Sequence, residues 1–335
     1  MPMRKTSLSD GSETLGQQNS SGGQQLAPVV LFVYARPTHT RRTLESLAGN
    51  TLAAQSELTI FADGPRADAS PQKLNEISEV RKLIRERQWC GKVHIRESAV
   101  NRGLAASIVA GVTEIVEQQG SVIVLEDDLE TSPGFLQYMN NALTLYLDCQ
   151  QVMQVCGFSF PCGWFPPQTG FLRASHPWGW ATWKRAWRHY QPDAERLLAL
   201  VLQGDPRRFD LDGYSFHLDE LQRNADGRLQ TWAVRWYASI FLRQGLCLYP
   251  GRSLVRNLGF DGTGENCHSA AAVYERIPIT DSVKVVPQAP VESPRILKSH
   301  QQHYRAELQR WTESRLVDRI RRRVRSALRW LPPGR

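Results

Sequence analysis

The 335-residue sequence lacks any long hydrophobic run. Its longest apolar stretches, such as 29–33 and 197–202, are far shorter than the ~18 residues that a membrane-spanning helix needs. The first 25 residues also lack the basic and then apolar order of a secretory signal, and their Ser, Gly and Gln content is typical of a disordered tail. We therefore expect a cytoplasmic protein without a transmembrane helix, in which 1–27 form a tail.

Cysteine is scarce, with six residues and no CxxC pair. This usage supports neither a disulfide framework nor a zinc site, and it favours buried thiols in a reducing compartment. A bridge between Cys156 and Cys162 is the alternative if the protein is exported.

Several catalytic signatures are absent as well. The eight histidines show no HExxH-like metal spacing, and no GxSxG, P-loop or GxGxxG sequence stands between a predicted strand and a predicted helix. No period of 20 to 50 residues repeats. These absences disfavour hydrolases, dehydrogenases and repeat proteins.

Basic residues are in excess, with 41 Lys and Arg against 33 Asp and Glu, a formal charge of +8. Residues 311–335 carry +6 of it, because eight Arg face only Glu313 and Asp318. Leu316, Ile320, Val324 and Leu331 follow helical spacing there, which predicts a basic amphipathic helix in 301–335. Such a helix either binds an anionic membrane surface or packs on the protein body. A nucleic-acid partner is disfavoured because the charge is terminal.

Apolar runs alternate with helical patterns up to residue 147. We expect strands at 29–34, 58–62, 93–95 and 122–125, and helices at 37–47, 71–87, 104–118 and 133–147. This alternation predicts an α/β fold with a parallel, doubly wound, Rossmann-like sheet. Farther along, five of the ten tryptophans fall between 164 and 187, and a second helical block covers about 193–241.

Polar side chains follow the predicted strands. Ligands of such sheets bind beyond the carboxyl ends of the strands, which makes these residues the first candidates for a site: Arg36, Asp63, Asn101, Glu126, Asp127 and Asp128. Three adjacent carboxylates repel one another unless solvent or a cation neutralises them, and their hard oxygens suit Mg²⁺ or Mn²⁺. The alternatives are a solvated acidic turn, a turn residue at Asp63, a helix N-cap at Asn101 and a simple counter-ion at Arg36.

Two further segments are unusual in composition. The indoles of 178–183 either stack on a sugar or fill a core. The glycine-rich loop 257–264 around Asp261 is either a lid over a ligand or an ordinary surface loop.

Taken in order, these segments resemble the GT-A glycosyltransferases, and among them N-acetylglucosaminyltransferase I and its bacterial relatives. The resemblance covers roughly residues 28–270. The similar segments are Val33–Pro37, Phe61–Gly64, Val124–Glu130, Pro177–Trp180, Trp232–Trp236 and Asn257–Gly264.

The resemblance implies a GT-A fold, a mixed sheet flanked by helices with a helical C-terminal extension. Residues 28–150 would form the nucleotide-sugar half and 151–300 the acceptor half. Arg36 would contact the diphosphate of a UDP-sugar, Asp63 the uracil, and Asp128 would coordinate Mn²⁺ or Mg²⁺. The other donor-site residues would be Glu126, Asp127, Trp180 and Gly262.

One position departs from the family pattern. Ala233 stands where the family has its catalytic carboxylate, and an inverting transfer needs a base within reach of the acceptor hydroxyl. The candidate bases nearby in sequence are Asp226, Asp261 and Glu265. The expected function is hexosyl or N-acetylhexosaminyl transfer to a glycan or lipid-linked acceptor in surface polysaccharide or lipopolysaccharide synthesis. The alternative is a non-catalytic, membrane-associated protein that binds nucleotide-sugars or glycans.

Overall fold

A computed structural model describes residues 25–162, 168–261, 277–307 and 309. Most of the predicted tail, Gly262, Gly264, Glu265 and the basic segment 311–335 lie outside these residues. In the part of the chain that the structure describes, no helix is long and apolar enough to cross a membrane. The cysteines within that part are all free, so Cys156 and Cys162 form no bridge.

Helices and strands alternate along the chain. The strands are β1 (Val29–Val33), β2 (Glu57–Ala62), β3 (Lys92–Glu97), β4 (Ser121–Glu126), β5 (Leu129–Thr131), β6 (Val152–Cys156), β7 (Thr169–Leu172), β8 (Trp180–Trp183), β9 (Leu246–Pro250) and β10 (Val255–Asn257). The helices are α1 (Pro37–Ala48), α2 (Pro71–Leu83), α3 (Leu104–Gln119), α4 (Phe135–Leu145), α5 (Lys184–Trp187), α6 (Ala194–Gln203), α7 (Pro206–Phe209), α8 (His217–Ala225), α9 (Ala233–Leu242) and α10 (294–307).

Eight strands form one mixed sheet in the order β3-β2-β1-β4-β8-β6-β9-β7. The predicted parallel arrangement is confirmed for its first half, where β1 pairs with β2 and β4, and β2 pairs with β3. The mixed sheet that the family resemblance implies is confirmed as well, because β8 runs antiparallel between β4 and β6 and β7 runs antiparallel to β9. The mixed α/β sheet flanked by helices is therefore the fold class of the protein.

The strands of the parallel half of the sheet form from apolar runs that are buried on both faces. Every residue of β1 is buried, and β4 buries its four central residues. Helix α1 begins at Pro37, whose fixed φ suits the first helical turn, and it buries Thr43, Leu44 and Leu47 against the sheet. This packing places the start of α1 beside the ends of β1 and β4.

The antiparallel pair β5 and β10 lies apart from the main sheet. Asn257 pairs with Leu129 and Val255 with Thr131. Because β5 directly follows the three carboxylates and β10 directly precedes the glycine-rich loop, this pairing brings the loop to the carboxylates.

Candidate functional site

The candidate site lies where β1 and β4 end side by side. Phe32 near the end of β1 pairs with Glu126 at the end of β4. The chain then supplies Asp127 and Asp128, which are 5% and 7% exposed. Arg36 comes from the loop between β1 and α1, so the two strands deliver a cation and three carboxylates to one edge of the sheet.

Arg36 bridges two of these carboxylates with a single nitrogen atom. Its Nη2 donates to Oδ1 of Asp127 and, at 2.9 Å, to Oδ2 of Asp128. Its Nη1 is buried and has no hydrogen-bond partner within the described residues. The guanidinium therefore keeps donor capacity that the protein itself does not use.

The charges of this cluster are not balanced. Burial raises the pKa of Glu126 to about 8, and the neighbouring Asp128 and Asp127 charges add to the rise. Burial also raises the pKa of Asp128, although the Arg36 charge opposes the change. Burial disfavours the charged form of Arg36. The charges and hydrogen bonds of Asp127 and Asp128 have a larger effect in the opposite direction, so the pKa of Arg36 lies above its usual range. Burial and mutual repulsion thus disfavour the charged forms of these carboxylates, and a further cation in the site would favour them.

The backbone of the acidic turn is held by Thr43 of α1. Thr43 Oγ1 donates to the Asp127 carbonyl at 2.9 Å and accepts from the Leu129 N–H at 3.1 Å. Sequence reasoning missed this residue.

The loop after β10 packs directly on Asp128. The Leu258 N–H donates to the Asp128 carbonyl at 2.8 Å, and the Gly259 N–H donates to Asn257 Oδ1 at 2.7 Å. A Cβ at Gly259 would overlap Asp128 Oδ2. Gly259 is therefore required by this close approach.

His39 of α1 connects to the same loop and was also missed from the sequence. Its Nε2 lies 3.2 Å from the Leu258 carbonyl oxygen and 3.2 Å from Asp261 Oδ2. Since both partners are acceptors, Nε2 carries the proton. His39 thus ties Asp261 to α1, and Asp261 lies two residues after Gly259, whose backbone approaches Asp128.

Asp226, in contrast, pairs with residues close to it in the sequence. It caps the end of α8, pairs with Arg228 and accepts a hydrogen bond from Gln222 at 2.7 Å. The structure does not bring it to the carboxylate cluster.

Asp63 lies at the same sheet edge, since its N–H donates to the Val33 carbonyl at 3.0 Å. Its carboxylate accepts from the backbone N–H groups of Gly64, Arg102 and Gly103 at 2.8 to 3.0 Å, and from Asn101 Nδ2 at 3.1 Å. These bonds join the loop after β2 to the start of α3, whose N-cap is Gly103 rather than Asn101. The contact of Asp63 with a uracil stays a prediction.

Trp180 belongs to the core, which corrects its assignment to the donor site. Its exposure is 0%, and its indole stacks on Trp232 at a centroid distance of 5.0 Å. A sugar has no access to such a ring. Of the core and sugar-stacking alternatives for 178–183, the structure supports the core for Trp180 and also for Trp183, which is 1% exposed.

The carboxylate oxygens of this cluster are possible ligands for a divalent cation. No group of three or more His, Cys, Asp or Glu in the described residues is arranged to hold a metal ion. However, Asp127 and Asp128 direct one oxygen each at a single cationic atom, Nη2 of Arg36. Mg²⁺ typically uses one or two carboxylates and takes its other ligands from water and phosphates. The two aspartates fit a cation of this kind if Arg36 moves away.

No protein-family model and no curated protein matches the chain. Similar solved structures include S. aureus TarS (15% identity, TM-score 0.27, 43% of this chain). UDP-glucose pyrophosphorylase complexed with UDP-glucose (11%, 0.33, 67% of this chain and 90% of that one) and mouse xyloside xylosyltransferase 1 (13%, 0.32, 64% and 80%) are also similar. The match spans 23% of the TarS chain. At these TM-scores the similarities define no family, so the site is interpreted from its own residues.

Proposed function

We propose that the protein is a GT-A glycosyltransferase, related to N-acetylglucosaminyltransferase I and its bacterial relatives, that moves a hexose or N-acetylhexosamine from a UDP-sugar to an acceptor hydroxyl. The observation that carries this proposal is the convergence of Arg36, Asp127 and Asp128 at the ends of β1 and β4. A guanidinium binds the oxygens of a diphosphate, and carboxylates bind the divalent cation that accompanies it. The cluster offers both at one edge of the sheet.

Each residue then has a stated task. Asp128, with Asp127 beside it, would hold Mn²⁺ or Mg²⁺, which stabilises the negative charge of the leaving diphosphate when it is bound. Arg36 would bind phosphate oxygens through the donors that the protein leaves unused. Asp63 would receive the uracil, and Glu126 would contact the donor sugar.

Asp261 is the proposed base for an inverting transfer. Its carboxylate would take the proton of the attacking acceptor hydroxyl. The hydrogen bond from His39 Nε2 would hold this carboxylate in place. Ala233 is the first residue of α9 and carries no titratable group, so the base has to come from another element.

The acceptor is proposed to be a glycan or a lipid-linked intermediate of surface polysaccharide or lipopolysaccharide synthesis. The support for this is the +6 charge of 311–335 and its helical apolar spacing. A basic amphipathic segment binds anionic membranes, where a lipid-linked acceptor would reside. The proposed location is accordingly the cytoplasm, peripheral to the inner face of the membrane.

UDP release tests this function. The wild-type protein is expected to release UDP from at least one UDP-sugar in the presence of Mn²⁺ and of a glycan or lipid-linked acceptor. The variant Asp128→Asn should lose this activity, whereas Glu130→Gln should keep it. Glu130 is a matched control because it is a carboxylate near the same turn that pairs with Arg42, which is exposed, and with Arg256, which is half-buried. Failure of the wild type to bind UDP with either metal would overturn the proposal.

A second candidate function is a non-catalytic binder of nucleotide-sugars on the same scaffold. Alanine at the start of α9, where a catalytic carboxylate would be needed, favours it. Metal-dependent binding of UDP-sugars without turnover, over a panel of donors and acceptors, would support this candidate, and turnover at enzyme-like rates would exclude it.

A further inference from the structure

Arg36 occupies the one point on which the carboxylates of Asp127 and Asp128 converge. The same Nη2 atom contacts Oδ1 of one and Oδ2 of the other. Both side chains are buried, and that of Arg36 is 20% exposed. A guanidinium therefore stands at the point where these two carboxylates could bind a divalent cation.

A metal ion and this guanidinium cannot share the place. A divalent cation of the size of Mg²⁺ lies about 2.1 Å from its carboxylate oxygens, whereas Nη2 already lies 2.9 Å from Asp128 Oδ2. Two cations at such a separation in a buried site repel each other strongly. One of the two has to leave.

The guanidinium is the partner that can move. The backbone of Asp127 is fixed by Thr43 at 2.9 Å, and that of Asp128 by the Leu258 N–H at 2.8 Å. Arg36, on the other hand, lies at the boundary between a loop and α1 and reaches the aspartates through a long side chain. The backbones of all three residues are thus held, since the Arg36 carbonyl accepts from the Thr40 N–H and Oγ1. The guanidinium is nevertheless the charged group at the end of the longest of the three side chains, so rotation of that side chain can carry it off the aspartates.

A diphosphate is the chemical group that would draw Arg36 away. Guanidinium forms paired hydrogen bonds with phosphate oxygens, and Nη1 of Arg36 has no partner to lose in the described structure. We infer that Arg36 holds the metal position in the ligand-free protein, and that a nucleoside diphosphate opens it by taking the guanidinium onto its phosphates. Arg36 is then a positioning residue that couples metal binding to nucleotide binding. This inference rests on the proposed function.

The test measures binding of Mn²⁺ alone, by electron paramagnetic resonance of the free ion, to the full chain and to Arg36→Gln. Because a competing cation is removed, Arg36→Gln should bind Mn²⁺ without nucleotide about tenfold more tightly than the wild type, a typical size for coupling between sites. Saturating UDP should then raise the Mn²⁺ affinity of the variant by a smaller factor than that of the wild type. UDP chelates metal directly in both proteins, so the nucleotide-free measurement is the decisive one.

Arg42→Gln is the matched control. Arg42 lies on α1, six positions after Arg36, carries the same charge and pairs with Glu130 at 3.4 Å instead of with the aspartates. Its removal should leave the affinity for Mn²⁺ alone unchanged, which separates a specific competition from a general change in charge. If Arg36→Gln fails to fold, Arg36→Lys serves in its place, since it keeps the charge and loses the planar fork; it should tighten Mn²⁺ binding to a smaller extent.

The outcomes separate the two proposals. If the wild type binds Mn²⁺ and UDP together through Asp128, but Arg36→Gln binds Mn²⁺ alone no more tightly, the inference fails and the proposed function stands. If the wild type binds UDP equally well with EDTA, Arg36 serves as the only cation and the exchange is contradicted. If the wild type binds neither UDP nor Mn²⁺, both proposals fail.

Discussion

Nη2 of Arg36 lies 2.9 Å from Oδ2 of Asp128, although 92 positions separate the two residues in the chain. They meet because β1 and β4 are neighbouring parallel strands, and the carboxyl ends of such strands lie at one edge of a sheet. The loop after β10 closes on the same point through Leu258 and Gly259. Three distant parts of the chain thus define the site.

Gly259→Ala is expected to weaken binding of UDP with Mn²⁺. The added methyl group would overlap Asp128 Oδ2, so either the loop or the carboxylate has to shift. Calorimetric titration of UDP in the presence of Mn²⁺ measures the dissociation constant. We expect it to rise by more than about tenfold, because even a small displacement of the Asp128 carboxylate is costly. Gly49→Ala is the control, since its Cβ would meet its nearest atom, the Ser46 carbonyl oxygen, at 3.4 Å. If Gly259→Ala, Gly49→Ala and the wild type bind UDP with the same affinity, the close contact between Gly259 and Asp128 has no effect on the site.

Much of this arrangement could be predicted from the sequence. The runs that form β1, β2 and β4 are long, apolar and followed by turns, so both the strands and the polar residues at their ends were predicted. The strands β6 to β10 were not predicted, because each contains a polar residue, a glycine or a proline and so does not form a continuous apolar run.

The remaining parts of the site depend on tertiary contacts. No periodicity links His39 to Asp261, or Thr43 to Asp127, because each contact joins α1 to a distant loop. The error at Trp180 has a similar origin. Its identity suits both a sugar face and a core, and only its stacking on Trp232 decides between them.

Replacing the candidate bases should separate their roles. Asp261→Asn is expected to lower kcat by about 10² to 10⁴, the range of general base catalysis, and to leave the affinity for the donor within about threefold. Asp226→Asn should change neither value, since Asp226 pairs with Arg228 at the end of α8. Steady-state kinetics and calorimetry of the same proteins provide the two numbers. An unchanged kcat in Asp261→Asn would remove Asp261 as the base.

Arg173 should be important for stability rather than for turnover. It is 4% exposed and pairs with Asp212 at 2.8 Å and with Glu292, which ties the segment before α10 to β7. Arg173→Met should lower the free energy of unfolding by about 1 to 3 kcal/mol, because the buried guanidinium loses its bonds to Asp212, Glu292 and the Arg208 carbonyl.

The control for this prediction is Arg85→Met. Arg85 pairs with Glu97 at 2.7 Å, but its side chain is 49% exposed, so the expected loss is below about 1 kcal/mol. Urea denaturation of both variants measures the difference. If both variants lose a similar free energy of unfolding, burial does not make the ion pairs of Arg173 more stabilising than an exposed pair.

Acid should destabilise the protein through its buried histidines. Burial lowers the pKa of His300 from 6.5 to about 3 and that of His217 to about 4. The unfolded chain regains the ordinary value and therefore binds more protons below pH 6.5. The free energy of unfolding should thus fall from about pH 6.5 to pH 4, by about 1.4 kcal/mol per pH unit for each histidine.

Urea denaturation at pH 7 and pH 5 tests this dependence. His300→Asn keeps a donor for the Ile296 carbonyl, which His300 Nδ1 contacts at 2.9 Å, and removes the titrating group. The variant should lose roughly one histidine's share of the slope, even if its stability at pH 7 is lower. The same slope in variant and wild type would assign the acid sensitivity to other groups.

Asp128 and its neighbours are proposed to bind a metal ion together with UDP. Anomalous diffraction at the manganese edge, from crystals grown with UDP and Mn²⁺, measures the position of the ion directly. We expect an anomalous peak about 2 to 2.3 Å from a carboxylate oxygen of Asp128, with Arg36 moved from the aspartates to the phosphates. Bound UDP at any other surface, or a peak remote from Asp128 while Arg36 still bridges Asp127 and Asp128, would contradict the account.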